Sequence, residues 1–208
     1  MEFPEFQAFR AKSKGATSAS AVDSSSTAEA QTNDTPEDGM RSAYESLKAA
    51  VVREILDAVQ AADPILLSQI MVKLLLAMGY GDKDSPDSGI VLDGVNDGGV
   101  DGVVNKDRLG LSRVYIQAKR YKDGNNVGSP AIQQFSGSMD ERRANEGVFV
   151  TTSDFSKPAI ESAQRLTKRI ALINGQRLAE IMFELGVGVT TETAYPLKRL
   201  DSDFFSQG

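Results

Sequence analysis

Apolar residues recur at helical spacing early in the chain: Tyr44, Leu47, Val51, Ile55 and Val59 line one face of a helix of about 20 residues. Thr35-Pro36 supplies its start, with threonine as the cap and proline in the first turn. Asp63-Pro64 repeats the device. The helix that follows is apolar on nearly all sides, interrupted only by Ser68, Gln69 and Lys73, and a helix of that kind is a buried one. Gly79 closes it as a left-handed cap. Short alternating or β-branched runs then predict strands at Ile90–Leu92, Val100–Val104, Val114–Lys119, Gly147–Thr152 and Ile170–Ile173. Helices are predicted from Ser129-Pro130 to Ala144, over Lys157–Thr167 and over Gln176–Leu185, the last closed by Gly186. The order α-α-β-β-β-α-β-α-β-α specifies an α/β fold, a mixed β-sheet flanked by helices on both faces.

Composition changes this picture at one end. Residues 11–35 are low-complexity: sixteen of those twenty-five are Ser, Ala or Thr, and Val22 is the only large apolar side chain. Such a segment cannot bury enough surface to offset its ordering entropy, which predicts a disordered linker. Residues 1–10 then read as a stub of an upstream module or a cloning scar, and residues 36–208 as the folded domain, with its core at about 64–188. The N-terminus lacks the apolar segment of a secretory signal. The most apolar run, Ile65–Met78, is short and carries Lys73, so no membrane partner is expected and the expected location is the cytoplasm.

The chain holds no histidine and no cysteine. Thiol nucleophiles, thiolate metal sites and imidazole-dependent catalysis are excluded. Carboxylates, amides, lysines, hydroxyls and a hard metal ion remain. Two segments offer that chemistry: the loop Asp97-Gly98-Gly99-Val100-Asp101-Gly102 and the strand Tyr115-Ile116-Gln117-Ala118-Lys119-Arg120-Tyr121. Two adjacent antiparallel strands bring Asp101 beside Gln117 and Lys119, whose side chains leave one face because they are two residues apart. A carboxylate, an amide oxygen and an ammonium then converge, a set suited to a hard divalent cation and a phosphate. Asp93 and Asp97 are further candidate ligands, but Asp-Gly pairs favour turns, and the turn reading is preferred.

The blocks GVNDGGVDGVV, VYIQAKRY, IQQFSGSM and GVFVTTSDFS, in that order, resemble the catalytic domain of Mrr-type (type IV) restriction endonucleases, members of the PD-(D/E)XK nuclease superfamily. The resemblance runs from about Thr35 through the Tyr195–Phe205 segment. It implies a PD-(D/E)XK restriction-endonuclease-like core and hydrolysis of DNA phosphodiesters with Mg2+, Mn2+ being a possible substitute. It further implies restriction of modified or foreign DNA. Asp101 resembles the metal-binding aspartate, Gln117 the glutamine this family uses where most relatives carry glutamate, and Lys119 the catalytic lysine. Ser68 stands where many relatives carry a glutamate on the buried helix. With a neutral glutamine at 117, Asp101 is offset by Lys119, so weak metal binding without DNA is expected.

The net charge is −6, from 23 basic and 29 acidic residues, yet two segments run against it. Lys106, Arg108, Arg113, Lys119, Arg120 and Lys122 face only Asp107, a local +5, and Lys157–Arg177 carries +4. Lys106, Arg108, Arg113, Arg120 and Lys122 are therefore expected to bind DNA beside the site. Gln133 and Gln134 begin the third helix, where phosphate is favoured, and the same residues serve equally well as an ordinary polar helix face. Thr151, Thr152 and Ser153 are read as strand-end and capping residues, Tyr115 and Tyr121 as packing residues. Double-stranded DNA is the expected partner. Cutting both strands needs two sites, so a homodimer or larger assembly on DNA is expected. The alternatives are a repair or junction nuclease, and a catalytically idle DNA-binding or interaction domain.

Overall fold

Thr35 starts α1 (Pro36–Ala61) with a reciprocal cap: its hydroxyl accepts from the Asp38 amide at 3.2 Å, and the Asp38 carboxylate accepts from the Thr35 amide at 3.2 Å. Asp63 starts α2 (Pro64–Ala77) by accepting from the Ile65 amide at 2.9 Å. Gly79 follows with φ +93°. The computed structural model describes residues 35–82, 85–92 and 99–206. Residues 1–34, covering the expected stub and nearly all of the expected linker, lie outside the described residues, as do Asp93 and Asp97. The chain divides into two compact units, Met1–Asp38 and Gly39–Gly208.

The second unit carries one sheet in the order β1 (Gly89–Val91), β2 (Gly102–Asn105), β3 (Arg113–Lys119), β4 (Glu146–Thr151) and β5 (Arg169–Ile173). β1, β2 and β3 pair antiparallel, and β3, β4 and β5 pair parallel. Parallel neighbours need crossovers, supplied by α3 (Ser129–Glu141) and α4 (Lys157–Arg165). After β5 come α5 (Gly175–Leu185) and, past an irregular stretch, a short α6 (Ser202–Phe205) that the sequence pattern did not predict.

Two cores sandwich the sheet. Val104, Val114, Ile116, Val148 and Val150 pack with Val52, Ile55 and Val59 of α1, with α2, and with Leu178, Ile181 and Met182 of α5. On the other side Phe149 packs with Ile132, Phe135 and Met139 of α3 and Ala159 and Ala163 of α4. β4 is buried on both faces, as expected for a strand between two parallel neighbours.

One expectation for α1 needs correction. Val52, Ile55 and Val59 are buried, but Tyr44 and Leu47 are 54% and 69% exposed. A 26-residue helix is about 39 Å long, and the seven-residue β3 spans about 23 Å. Only the second half of α1 meets the core.

The β2–β3 turn is shaped by Asp107. Its carboxylate accepts from the amides of Leu109 (2.9 Å), Leu111 (3.3 Å) and Ser112 (3.0 Å). Desolvation by the turn pushes this carboxyl up, but the amide hydrogen bonds from Leu111, Ser112, Leu109 and Gly110 outweigh it and hold the group below the usual aspartate range. A depressed native pKa stabilises above the unfolded value and ceases to do so as pH falls through the native one. Hydrogen-exchange protection at Leu109, Leu111 and Ser112 should therefore hold at neutral pH and vanish below the ordinary aspartate range. Asp107→Ala should remove it at pH 7, and unchanged protection in that variant would contradict this account. No helix among the described residues is long and apolar enough to cross a membrane.

Candidate active site

Gly99 enters the site with φ +86°, and a Cβ built there would lie 2.8 Å from Gln117 Oε1 and 3.9 Å from Gln134 Nε2. Glycine is needed at 99 both for the left-handed backbone and for this close approach. Asp101 then continues the β2 ladder: its amide donates to the Ile116 carbonyl at 2.8 Å, and its carbonyl accepts from the Leu92 amide at 3.0 Å. One step past the Gly102–Ile116 pair, Asp101 stands opposite Gln117.

The side chains meet. Asp101 Oδ2 accepts from Gln117 Nε2 at 2.5 Å and from the Ala118 amide at 2.7 Å. Gln117 is only 3% exposed. Its strand neighbour Phe149 lies beside it in the parallel register and floors this side of the sheet. Lys119 leaves the same face as Gln117, is partly exposed, and makes no side-chain hydrogen bond or ion pair among the described residues.

The donor set fits a hard divalent cation: a carboxylate and a side-chain amide converge, and such ions also accept water and phosphate oxygens. The Gln117 amide presents Nε2 to Asp101. Its terminal torsion is broad and roughly two-fold, so turning the amide brings Oε1 to the same place. Among the described residues no three acidic side chains cluster, so Asp101 and Gln117 offer one carboxylate and one amide oxygen.

The other sequence candidates divide. Gln134 adjoins Gln117 across Gly99, and both Gln133 and Gln134 are exposed. Ser68 is buried on α2. The hydroxyls of 151–153 are committed internally: Thr152 Oγ1 donates to the Tyr121 carbonyl (2.7 Å) and accepts from its amide (3.0 Å), and Ser153 Oγ donates to the Asn125 carbonyl (2.9 Å). Tyr115 and Tyr121 pack against the Phe149 core.

The cations expected beside the site do not all lie there. Asn105 pairs with Arg113, so Lys106 and Arg108 sit in the turn at the start of β3 while Lys119 ends it. Six residue steps along the strand, roughly 20 Å, separate Arg113 from Lys119. A sequence count of +5 cannot see that a hairpin folds the run back on itself. Lys106 is also paired, donating to both Glu146 oxygens at 2.9 and 2.8 Å. Arg120 and Lys122 follow Lys119 directly. The Arg120 guanidinium donates to the carbonyls of Gln60 (3.4 Å) and Ala62, capping the end of α1. The second basic segment is partly neutralised as well, with Lys168 on Asp140 at 2.5 Å and Arg177 on Glu180 at 3.4 Å.

Residues 59–182 match the model of the Mrr catalytic-domain family, described as restriction endonuclease. The chain belongs to that family. The Mrr-family assignment agrees with 37% identity over 170 residues to the type IV methyl-directed restriction enzyme EcoKMrr of Escherichia coli (strain K12). That alignment covers 82% of this chain and 54% of the relative, so the chain spans about half the length of the curated protein it matches. Among solved structures, the DNA modification-dependent restriction endonuclease AspBHI aligns over 83% of this chain and 41% of its own, with a TM-score of 0.51 and 20% identity. The MspJI restriction endonuclease, solved with a 27-mer oligonucleotide, aligns over 66% and 31%, with a TM-score of 0.47 and 21% identity. The likeness to AspBHI concerns the fold, a mixed α/β core of the restriction-endonuclease type.

Proposed function

We propose that this Mrr-family domain is a metal-dependent DNA endonuclease, acting in the cytoplasm to restrict modified or foreign DNA. The contact of Asp101 with Gln117 at the turn into β2, in a chain of this family, carries the reading. Asp101 and the Gln117 side-chain oxygen would hold a divalent cation, magnesium being the expected one with manganese as substitute. When bound, that ion supplies positive charge to the phosphoryl group and to the leaving oxygen. Lys119, on the same face, orients the attacking water and steadies charge on a phosphate oxygen. Hydrolysis by in-line displacement needs position and charge from the protein more than covalent chemistry, which suits a site with no strong nucleophile. Lys122, three residues past Lys119, is the expected DNA-binding cation that we assign to this site, because Arg120 is engaged in capping the end of α1. Double-strand cleavage would need a second copy.

The test is plasmid nicking with magnesium or manganese on methylated and unmethylated DNA. Nicking that requires the metal and is greater on methylated plasmid is the expected result. Serine at 68 motivates the rival reading of an idle DNA-binding domain: binding of DNA with no nicking under either metal would establish it.

A further inference from the structure

Lys106, Arg113, Arg142 and Arg143 line a cavity of about 430 Å³ at the end of β3 opposite Lys119, with Glu146 as its one acidic wall residue. In a chain of net charge −6, four cations against one acid in a single concavity is a local reversal. Its acid is already engaged, since Glu146 takes both hydrogen bonds from Lys106. Arg142 reaches back to the Ser138 carbonyl at 3.2 Å. Arg113 and Arg143 make no side-chain hydrogen bond or ion pair among the described residues.

Two features show a built wall. The Asp107-pinned turn contributes Gly110, Leu111 and Ser112 to the cavity, so that side is held by three amide hydrogen bonds. Arg143 has φ +54°, and every other described residue with positive φ is glycine. It occupies the position after a helix where glycine is the ordinary choice, and a side chain there is disfavoured. Cations near the end of α3 also complement its dipole, but that needs neither a left-handed arginine nor a second arginine from β3.

We infer that this cavity binds a phosphate group, gripped by Arg113 and Arg143, at a site separate from the Asp101 centre. Arginine forks match phosphate oxygens bidentately, and the volume is that of a small-ligand site. The phosphate could belong to a DNA backbone held roughly 13–20 Å along β3 from the cutting site or to a free nucleotide. Only the DNA source rests on the nuclease reading.

The experiment titrates the full chain, in chelator, with inorganic phosphate, thymidine 5′-phosphate and a labelled 16-bp duplex, alongside Arg113→Gln and Arg143→Gly. Arg143→Gly relieves the left-handed backbone, so its melting temperature should equal or exceed the parent's while phosphate affinity falls about tenfold. Arg113→Gln should lose a similar factor. If both variants also weaken duplex binding and each lowers the salt slope by about 1, the source is a DNA backbone. If the nucleotide binds more tightly than phosphate and duplex binding is unchanged, the source is a free nucleotide. Equal binding of all three probes by parent and variants, or no phosphate binding by the parent, overturns the inference. Failure of the parent to nick plasmid would overturn the nuclease reading and leave the phosphate result standing.

Discussion

Asp101→Asn should remain folded and lose plasmid nicking by on the order of a thousandfold, in magnesium and in manganese. The asparagine side-chain oxygen still accepts from the Ala118 amide, the hydrogen bond that holds β3 where β2 begins, so stability should fall by no more than about 1 kcal/mol. What goes is the negative charge. With Gln117 neutral and Lys119 cationic, the three proposed catalytic side chains would carry a net positive charge and repel a dication. Lys119→Ala makes the companion measurement. It should slow nicking while leaving the metal concentration for half-maximal rate near or below the parent's, whereas Asp101→Asn should move that concentration upward. Nicking by Asp101→Asn within tenfold of the parent would remove Asp101 from the site.

Phe149→Ala should cost about 3–5 kcal/mol by chemical denaturation, a large share of the stability of a domain this size. Phe149 is fully buried and meets Phe135 and Phe155 edge-to-face, with ring centroids 5.7 and 5.8 Å away. Truncation leaves a ring-sized void between β4, α3 and α4, and two aromatic contacts disappear with it. Because Phe149 stands beside Gln117 in the β3–β4 register, the void also undercuts the amide that faces Asp101. Phe149→Leu refills most of the volume and should recover more than half of the loss. A Phe149→Ala cost under about 1.5 kcal/mol would mean that the core collapses around the gap and that the aromatic cluster is not its keystone.

The elements themselves were legible because local chemistry sets them. Thr35-Pro36 and Asp63-Pro64 start helices by the caps expected, the third helix begins at Ser129 with Gly128 rather than Ser129 as its cap, Gly79 and Gly186 follow helices with positive φ, and each predicted strand exists within one or two residues. The meeting of Asp101 and Gln117 was legible too, since adjacent antiparallel strands bring the start of one beside the end of the next and the two-residue alternation fixes the face. The basic run was expected to gather beside the site for the same reason that it was conspicuous. A count along the chain treats Lys106 and Lys119 as neighbours, and a hairpin sends them to opposite ends of a strand. The apolar stripe of α1 was overextended at Tyr44 and Leu47 because periodicity reports which face is apolar and not how far the partner surface reaches.

By itself the sequence determined the element order, the absence of imidazole and thiol chemistry, and the three residue types on which the proposed hydrolysis depends. Tertiary structure alone decided which cations adjoin that site and which gather at the far end of β3. It also decided that Arg120 caps α1 and that Arg143 takes a left-handed backbone in the wall of a second cavity. Propensity, capping and alternation act over a few residues and are written locally. The position of a charge in space depends on strand register and on where helices end against the sheet, which many distant side chains settle together.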